Sequence, residues 1–139
     1  MDEAKQQEIR QWLIKASRDL ASAERLLAGD PPYLDTAVYH CQQTAEKALK
    51  AYLTLKDSPF RKVHDLSALV GQSSESDGTF IQLREAAETL TPYGVAFRYP
   101  GSVLEPAPSE AKEALRLARI VLDFVAGKIP AKVKLGVEI

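Results

Sequence analysis

An all-α fold, an antiparallel up-and-down bundle of four to five helices with a short extended C-terminal tail, is what the sequence predicts. Three observations carry this expectation. Three long segments place apolar residues at the 3.6-residue helical period. Glycine and proline punctuate the chain between them. No strand–helix alternation and no glycine-rich phosphate loop occurs anywhere in the 139 residues, which excludes Rossmann-type and P-loop nucleotide folds.

The first helix carries Ile9, Leu13, Ala16, Leu20, Ala23 and Leu27, with Trp12 widening the stripe, and ends at Gly29 before Pro31-Pro32. The second is expected from Asp35, a good N-cap residue, with Val38, Cys41, Ala45, Ala48, Tyr52 and Leu55 inward. The small residues at 41, 45 and 48 allow a neighbouring helix to approach closely. Pro59 closes this segment by disfavouring the α conformation at Ser58. Residues 65–70 read as a short helix capped by Asp65, followed by a polar turn or loop over 71–78. A further helix is expected over 79–90, with Phe80, Leu83, Ala87 and Leu90 inward. Residues 93–108 form a connector rich in proline and aromatics. Ser109 is positioned to cap the last helix, whose inward residues are Ala111, Leu115, Ala118, Leu122, Val125 and Ile129. In the tail, Val133, Leu135, Val137 and Ile139 alternate with polar or small residues, the period of a strand. A strand there must pair with the same tail of a second chain or dock its apolar side on the bundle. The domain organisation is then one helical domain over 1–130 and a tail over 131–139.

Composition narrows the function classes. With 45% hydrophobic and 27% charged residues, the chain is an ordinary globular domain. The net charge of −1 disfavours wholesale electrostatic binding of nucleic acid but allows a local patch. The distribution is uneven. Residues 38–64 hold five basic and two acidic side chains, and residues 65–113 hold three basic and eight acidic. Cys41 is the single cysteine, so no internal disulfide forms, and its inward position makes it a poor nucleophile. The two histidines lie 24 positions apart, so no metal-ligand spacing exists, and neither a metal nor another cofactor is expected. The N-terminal residues are charged rather than apolar and no long apolar run follows. A cytoplasmic protein without a membrane span is the expectation.

Three constellations could carry chemistry. His40, Gln43, Lys47 and Lys50 form one polar stripe on the second helix, with Tyr39, Gln42 and Glu46 on the adjacent one. That stripe is either a site for an anion such as phosphate or a solvated face with a Glu46–Lys50 pair. His64, just before Asp65, is either an acid, base or phosphate donor, or a neighbour of a helix cap. Arg98, flanked by Phe97 and Tyr99, either holds a phosphate or stacks on a base, or else pairs with a carboxylate while its stem packs under Tyr99.

The strings WLIKASRDLASAERLL (12–27), AVYHCQQTAEKALKAYL (37–53), VHDLSAL (63–69) and LTPYGVAFRYPG (90–101), followed by the helix from Ser109, together resemble the HEPN domain, the higher eukaryotes and prokaryotes nucleotide-binding family. The resemblance spans about residues 5–128. It implies an up-and-down α bundle, usually a homodimer, with a nucleotide or RNA ligand. In prokaryotes it also implies pairing with a minimal nucleotidyltransferase in a two-component, toxin–antitoxin-like system. Many members are metal-independent ribonucleases that use an Arg followed about four to six residues on by a His. This sequence departs from that pattern: Arg25 is the nearest arginine before His40, Arg61 is too close to His64, and no histidine follows Arg98. The expectation is therefore a non-catalytic nucleotide- or RNA-binding protein. Its ligand-binding residues are expected at His40, Gln43, Lys47, Lys50, His64, Arg98 and Tyr99. A ribonuclease with a degenerate site and a pure dimerisation module are the alternatives.

Overall fold

The computed structural model describes residues 1–60, 64–101 and 104–139. Among these residues five α-helices follow in order: α1 (Glu3–Ala28), α2 (Leu34–Leu55), α3 (Leu66–Ser76), α4 (Arg84–Leu90) and α5 (Pro108–Gly127). Short 3₁₀ segments over Gly78–Leu83 and Thr91–Gly94 lead into and out of α4. No strand occurs among the described residues.

α1 and α2 form the central antiparallel pair. Asp2 starts α1 by accepting a bond from the Lys5 amide at 2.7 Å. Ile9, Leu13, Ala16, Leu20 and Ala23 are buried along one face. They meet Val38, Cys41, Ala45, Ala48 and Tyr52 of α2, and α5 covers the pair with Ala111, Ala118, Leu122 and Val125. Each fully buried Leu, Ile or Val contributes roughly 1.5–3 kcal/mol by leaving water. Phe80 closes the far end of the core, with its ring 4.2 Å from Tyr52 and 5.1 Å from Phe124.

Four local readings change. α2 begins at Leu34, and Tyr33 rather than Asp35 occupies the N-cap, with no side-chain cap bond. α3 continues through residues 71–76, whose polar composition suggests a loop. Its serines are compatible with helix because Ser74 Oγ donates back to the Val70 carbonyl at 2.8 Å. The segment over 79–90 starts as a 3₁₀ turn, capped by Asp77 accepting from the Thr79 amide at 3.0 Å, and becomes α-helical only at Arg84. Phe80, Leu83, Ala87 and Leu90 still all point inward. Pro108 at the first helical position starts α5, with Ala107 at the N-cap, so Ser109 caps nothing.

The tail is not a strand. The amides of Val133, Lys134 and Val137 bond to the carbonyls of Pro130, Ala131 and Lys134, and Gly136 reverses the chain at φ +82°. A lone strand has no edge to pair with, and turns satisfy its backbone internally. Val133 is buried and Val137 packs on the core, whereas Leu135 and Ile139 are exposed, so two of the four alternating residues dock. Lys134 Nζ also donates to the Ala126 carbonyl at the end of α5.

Candidate functional site

α2 carries a row of polar residues, of which Gln42, Glu46 and Lys50 are buried and His40 and Lys47 are partly exposed. They fall into two clusters around two buried carboxylates. In the first, Asp19 of α1 receives His40 Nδ1 at 2.8 Å on Oδ1 and Lys47 Nζ at 2.6 Å on Oδ2. In the second, Glu46 of α2 receives His64 Nδ1 at 2.9 Å and Gln42 Nε2 at 3.2 Å on Oε1, and Lys50 Nζ at 3.0 Å on Oε2. Burial pushes the Glu46 carboxyl up, but the bonds from His64, Gln42 and Lys50 outweigh it and hold the group below the usual carboxylate range.

The second cluster reaches further. Gln42 Nε2 also donates to the His64 carbonyl at 3.0 Å, and Gln43 Nε2 donates to Gln42 Oε1 at 2.7 Å. The Lys50 ammonium is buried, 5.7 Å from the Trp12 ring centre and 5.5 Å from that of Phe60. Together these bonds tie the start of α3 to α2. The basic pair Arg61 and Lys62, which the charge count included, lies outside the described residues.

Arg98 lies on the other flank of α2. Its guanidinium carbon sits 4.0 Å from the centre of the Tyr39 ring and 5.8 Å from that of Tyr99, and Nη1 donates to the Gly94 carbonyl at 3.2 Å. No carboxylate among the described residues pairs with it. The connector is held close to α2 at Gly94, where a Cβ would come within 3.3 Å of the Gln42 side chain. It is tied to α5 by Tyr93, whose hydroxyl donates to Glu110 at 2.6 Å. Burial first, and Glu110 second, pushes the Tyr93 phenol upward, so it stays a donor. Phe97 adopts a left-handed φ of +65° and stacks on Tyr93, 6.2 Å between ring centres. A bulky residue in that region stores on the order of 1 kcal/mol of strain, which the packing around it must offset.

Between α2 and the connector lies a cavity of about 290 Å³ lined by Asp35, Thr36, Tyr39, His40, Phe97 and Arg98. Of the residues singled out from sequence, the fold brings His40 and Arg98 to this cavity. Lys47 stands two helical turns beyond His40, on Asp19. Lys50 and His64 belong to the Glu46 cluster, Gln43 lies between the two clusters, and Tyr99 is exposed at the rim of the connector. The sequence reading missed Asp19 and the pocket role of Asp35, Thr36 and Tyr39. Burial raises the Cys41 thiol to about 12, in keeping with its inert reading. Among the described residues, no three His, Cys, Asp or Glu side chains are grouped to hold a metal, and no helix is long and apolar enough to cross a membrane.

Bundle and pocket together define an all-α protein with an arginine–aromatic pocket beside its second helix. Residues 9–129 match the HEPN domain model, and the chain belongs to the HEPN domain family. Two solved structures resemble it. One is ST0689, described as an archaeal HEPN homologue, 28% identical, with a TM-score of 0.69 over 88% of this chain and 98% of that one. The other is TT1696 from Thermus thermophilus, 29% identical, with a TM-score of 0.75 over 87% and 98%. No curated protein matches the chain.

Proposed function

We propose that this HEPN protein binds a nucleotide, or a nucleotide unit of RNA, in the pocket between α2 and the connector, and does so without turning it over. The observation that carries this reading is Arg98. Its guanidinium is unpaired by any carboxylate among the described residues, is braced against Tyr39 and lines a cavity with aromatic walls. A guanidinium in such a setting offers a fork of donors to a phosphate, and the rings offer a stacking surface to a base. Lys47 and Gln43 extend the same face along α2. The Lys47 charge is offset by Asp19, which makes Arg98 the main electrostatic attraction.

Calorimetric titration of the full chain with nucleoside monophosphates tests this. Arg98→Ala is expected to weaken binding at least tenfold with helicity unchanged, since a charge-assisted bond contributes about 1.5–3 kcal/mol. Equal affinity in Arg98→Ala and wild type would place the ligand elsewhere.

One observation favours the enzyme reading as a second possibility. Asp19 engages Nδ1 of His40, which leaves Nε2 as the nitrogen available toward the cavity that Arg98 lines. An oriented imidazole beside a guanidinium is equipped for metal-independent phosphodiester cleavage by acid–base catalysis. Incubation with RNA in EDTA decides: cleavage abolished by His40→Ala would establish an enzyme, and intact RNA would leave the binding reading. The homodimer and a nucleotidyltransferase partner rest on the family resemblance alone, and light scattering and co-purification with a coexpressed nucleotidyltransferase test them.

A further inference from the structure

The pocket holds a second, opposite charge. Asp35 lies in the first turn of α2, where its carboxylate caps nothing. Oδ1 accepts one long bond from Thr36 Oγ1 at 3.5 Å, and no cation among the described residues is within ion-pair distance. Asp35 and Arg98 thus line one cavity, each without an ion-pair partner among the described residues and without pairing to each other. A ligand that satisfied only Arg98 would leave the Asp35 carboxylate partly desolvated and unmatched, which costs affinity. The pocket suits a ligand with an anion at one end and hydrogen-bond donors at the other.

Building on the nucleotide-binding reading above, we infer that the pocket prefers a guanine nucleotide, with the base edge on Asp35 and the phosphate on Arg98. An ionised carboxylate only accepts hydrogen bonds, through two oxygens side by side. Guanine presents two adjacent donors on its pairing edge, N1–H and the N2 amino group, and so matches both oxygens. Adenine and cytosine each place an acceptor nitrogen beside their amino donor, and uracil flanks its single N–H with two carbonyls. In each case a lone pair faces the carboxylate. Tyr39 and Phe97 supply the aromatic walls that a purine requires. The cavity, about 290 Å³, is at the small end of ligand sites and fits a mononucleotide better than a dinucleotide.

The test is titration of the full chain with GMP, IMP, AMP, CMP and UMP. IMP differs from GMP only in lacking the N2 amino group. GMP is expected to bind at least about fivefold more tightly than IMP or AMP, the discrimination of one good bidentate contact. Asp35→Asn is expected to erase that preference while leaving AMP affinity equal or improved, and circular dichroism checks that α2 is intact. GMP and IMP within twofold of each other in the wild type would overturn the inference, as would a GMP preference that survives Asp35→Asn. Equal binding of all five nucleotides that is lost in Arg98→Ala would sink the guanine inference and leave phosphate binding standing. Absence of binding by any of them would remove both.

Discussion

The two carboxylate clusters on α2 are built from the same three groups, a carboxylate, an imidazole bonded through Nδ1 and a lysine, yet they do different work. Glu46 is saturated: His64, Gln42 and Lys50 all bond to it, and Lys50 is enclosed by Trp12 and Phe60. Its histidine side chain is 72% exposed. Asp19 binds two partners among the described residues, and its histidine, 26% exposed, lines the Arg98 cavity. The same constellation is a fastener where its bonds tie the start of α3 to α2, and part of a candidate site where its histidine shares a cavity with a guanidinium.

The largest expected effect breaks the fastener. Glu46→Ala strands the buried Lys50 ammonium and unties Gln42 and His64, and should cost about 3–5 kcal/mol, read as the shift in the urea midpoint. The paired variant Glu46→Gln with Lys50→Met should recover most of that loss, because an apolar chain suits the space between Trp12 and Phe60. If the pair is as unstable as the single variant, the ammonium is not the cause.

Double-mutant cycles then rank the two clusters directly. A Glu46–Lys50 coupling of about 1–3 kcal/mol is expected, against about 1 kcal/mol or less for Asp19–Lys47, whose lysine is better hydrated. Equal couplings would dissolve the distinction drawn between them.

Acid sharpens the comparison further. The folded-state pKa of Glu46 is lower than its unfolded value near 4.5. Its stabilisation is therefore complete above that value and is lost as pH falls through the folded one. Thermal melts from pH 7 to pH 3 should show a steeper loss in wild type than in Glu46→Gln, and parallel curves would contradict this. The smallest effect is expected from His64→Ala. The exposed imidazole contributes about 0.5–1 kcal/mol, while the residue 64 carbonyl still receives Gln42. Nucleotide affinity should be unchanged there and reduced in His40→Ala.

The helices were legible because burial repeats. All of Ile9, Leu13, Ala16, Leu20 and Ala23 are buried, as are Val38, Cys41, Ala45, Ala48 and Tyr52, and no distant information is needed to see those stripes. The site was legible in part. Arg98 stands out because one cation among aromatics is rare in a connector, and it does lie open at a cavity. Its stacking partner, Tyr39, is 59 positions earlier in the chain, so only the fold could supply it. Asp19 escapes notice for the same reason, since Arg18-Asp19 looks like any solvated helix surface until α2 packs beside it. Lys50 shares a stripe with Lys47, yet Trp12 and Phe60 bury one and leave the other near water. Asp35 reads as a cap in the sequence, and its actual freedom follows from a helix whose N-cap, Tyr33, lies two residues earlier than expected. The tail misleads because period-2 alternation describes a preference that only a neighbouring edge can realise.

The left-handed Phe97 gives the pocket wall a distinctive amide-exchange behaviour. The Ala96 and Arg98 amides around it bond to the Pro92 and Val95 carbonyls within the same short segment, not to a helix ladder. Opening that segment breaks few bonds and returns Phe97 to ordinary backbone space, so its free energy lies well below that of unfolding the bundle. A ligand held by Arg98, as proposed, would raise that opening energy by its own occupancy, RT ln(1 + [L]/Kd), and would leave the α2 ladder amides governed by global unfolding. Deuterium uptake at two amides would therefore report occupancy of the proposed pocket, even for a ligand that produces no colour, heat or product.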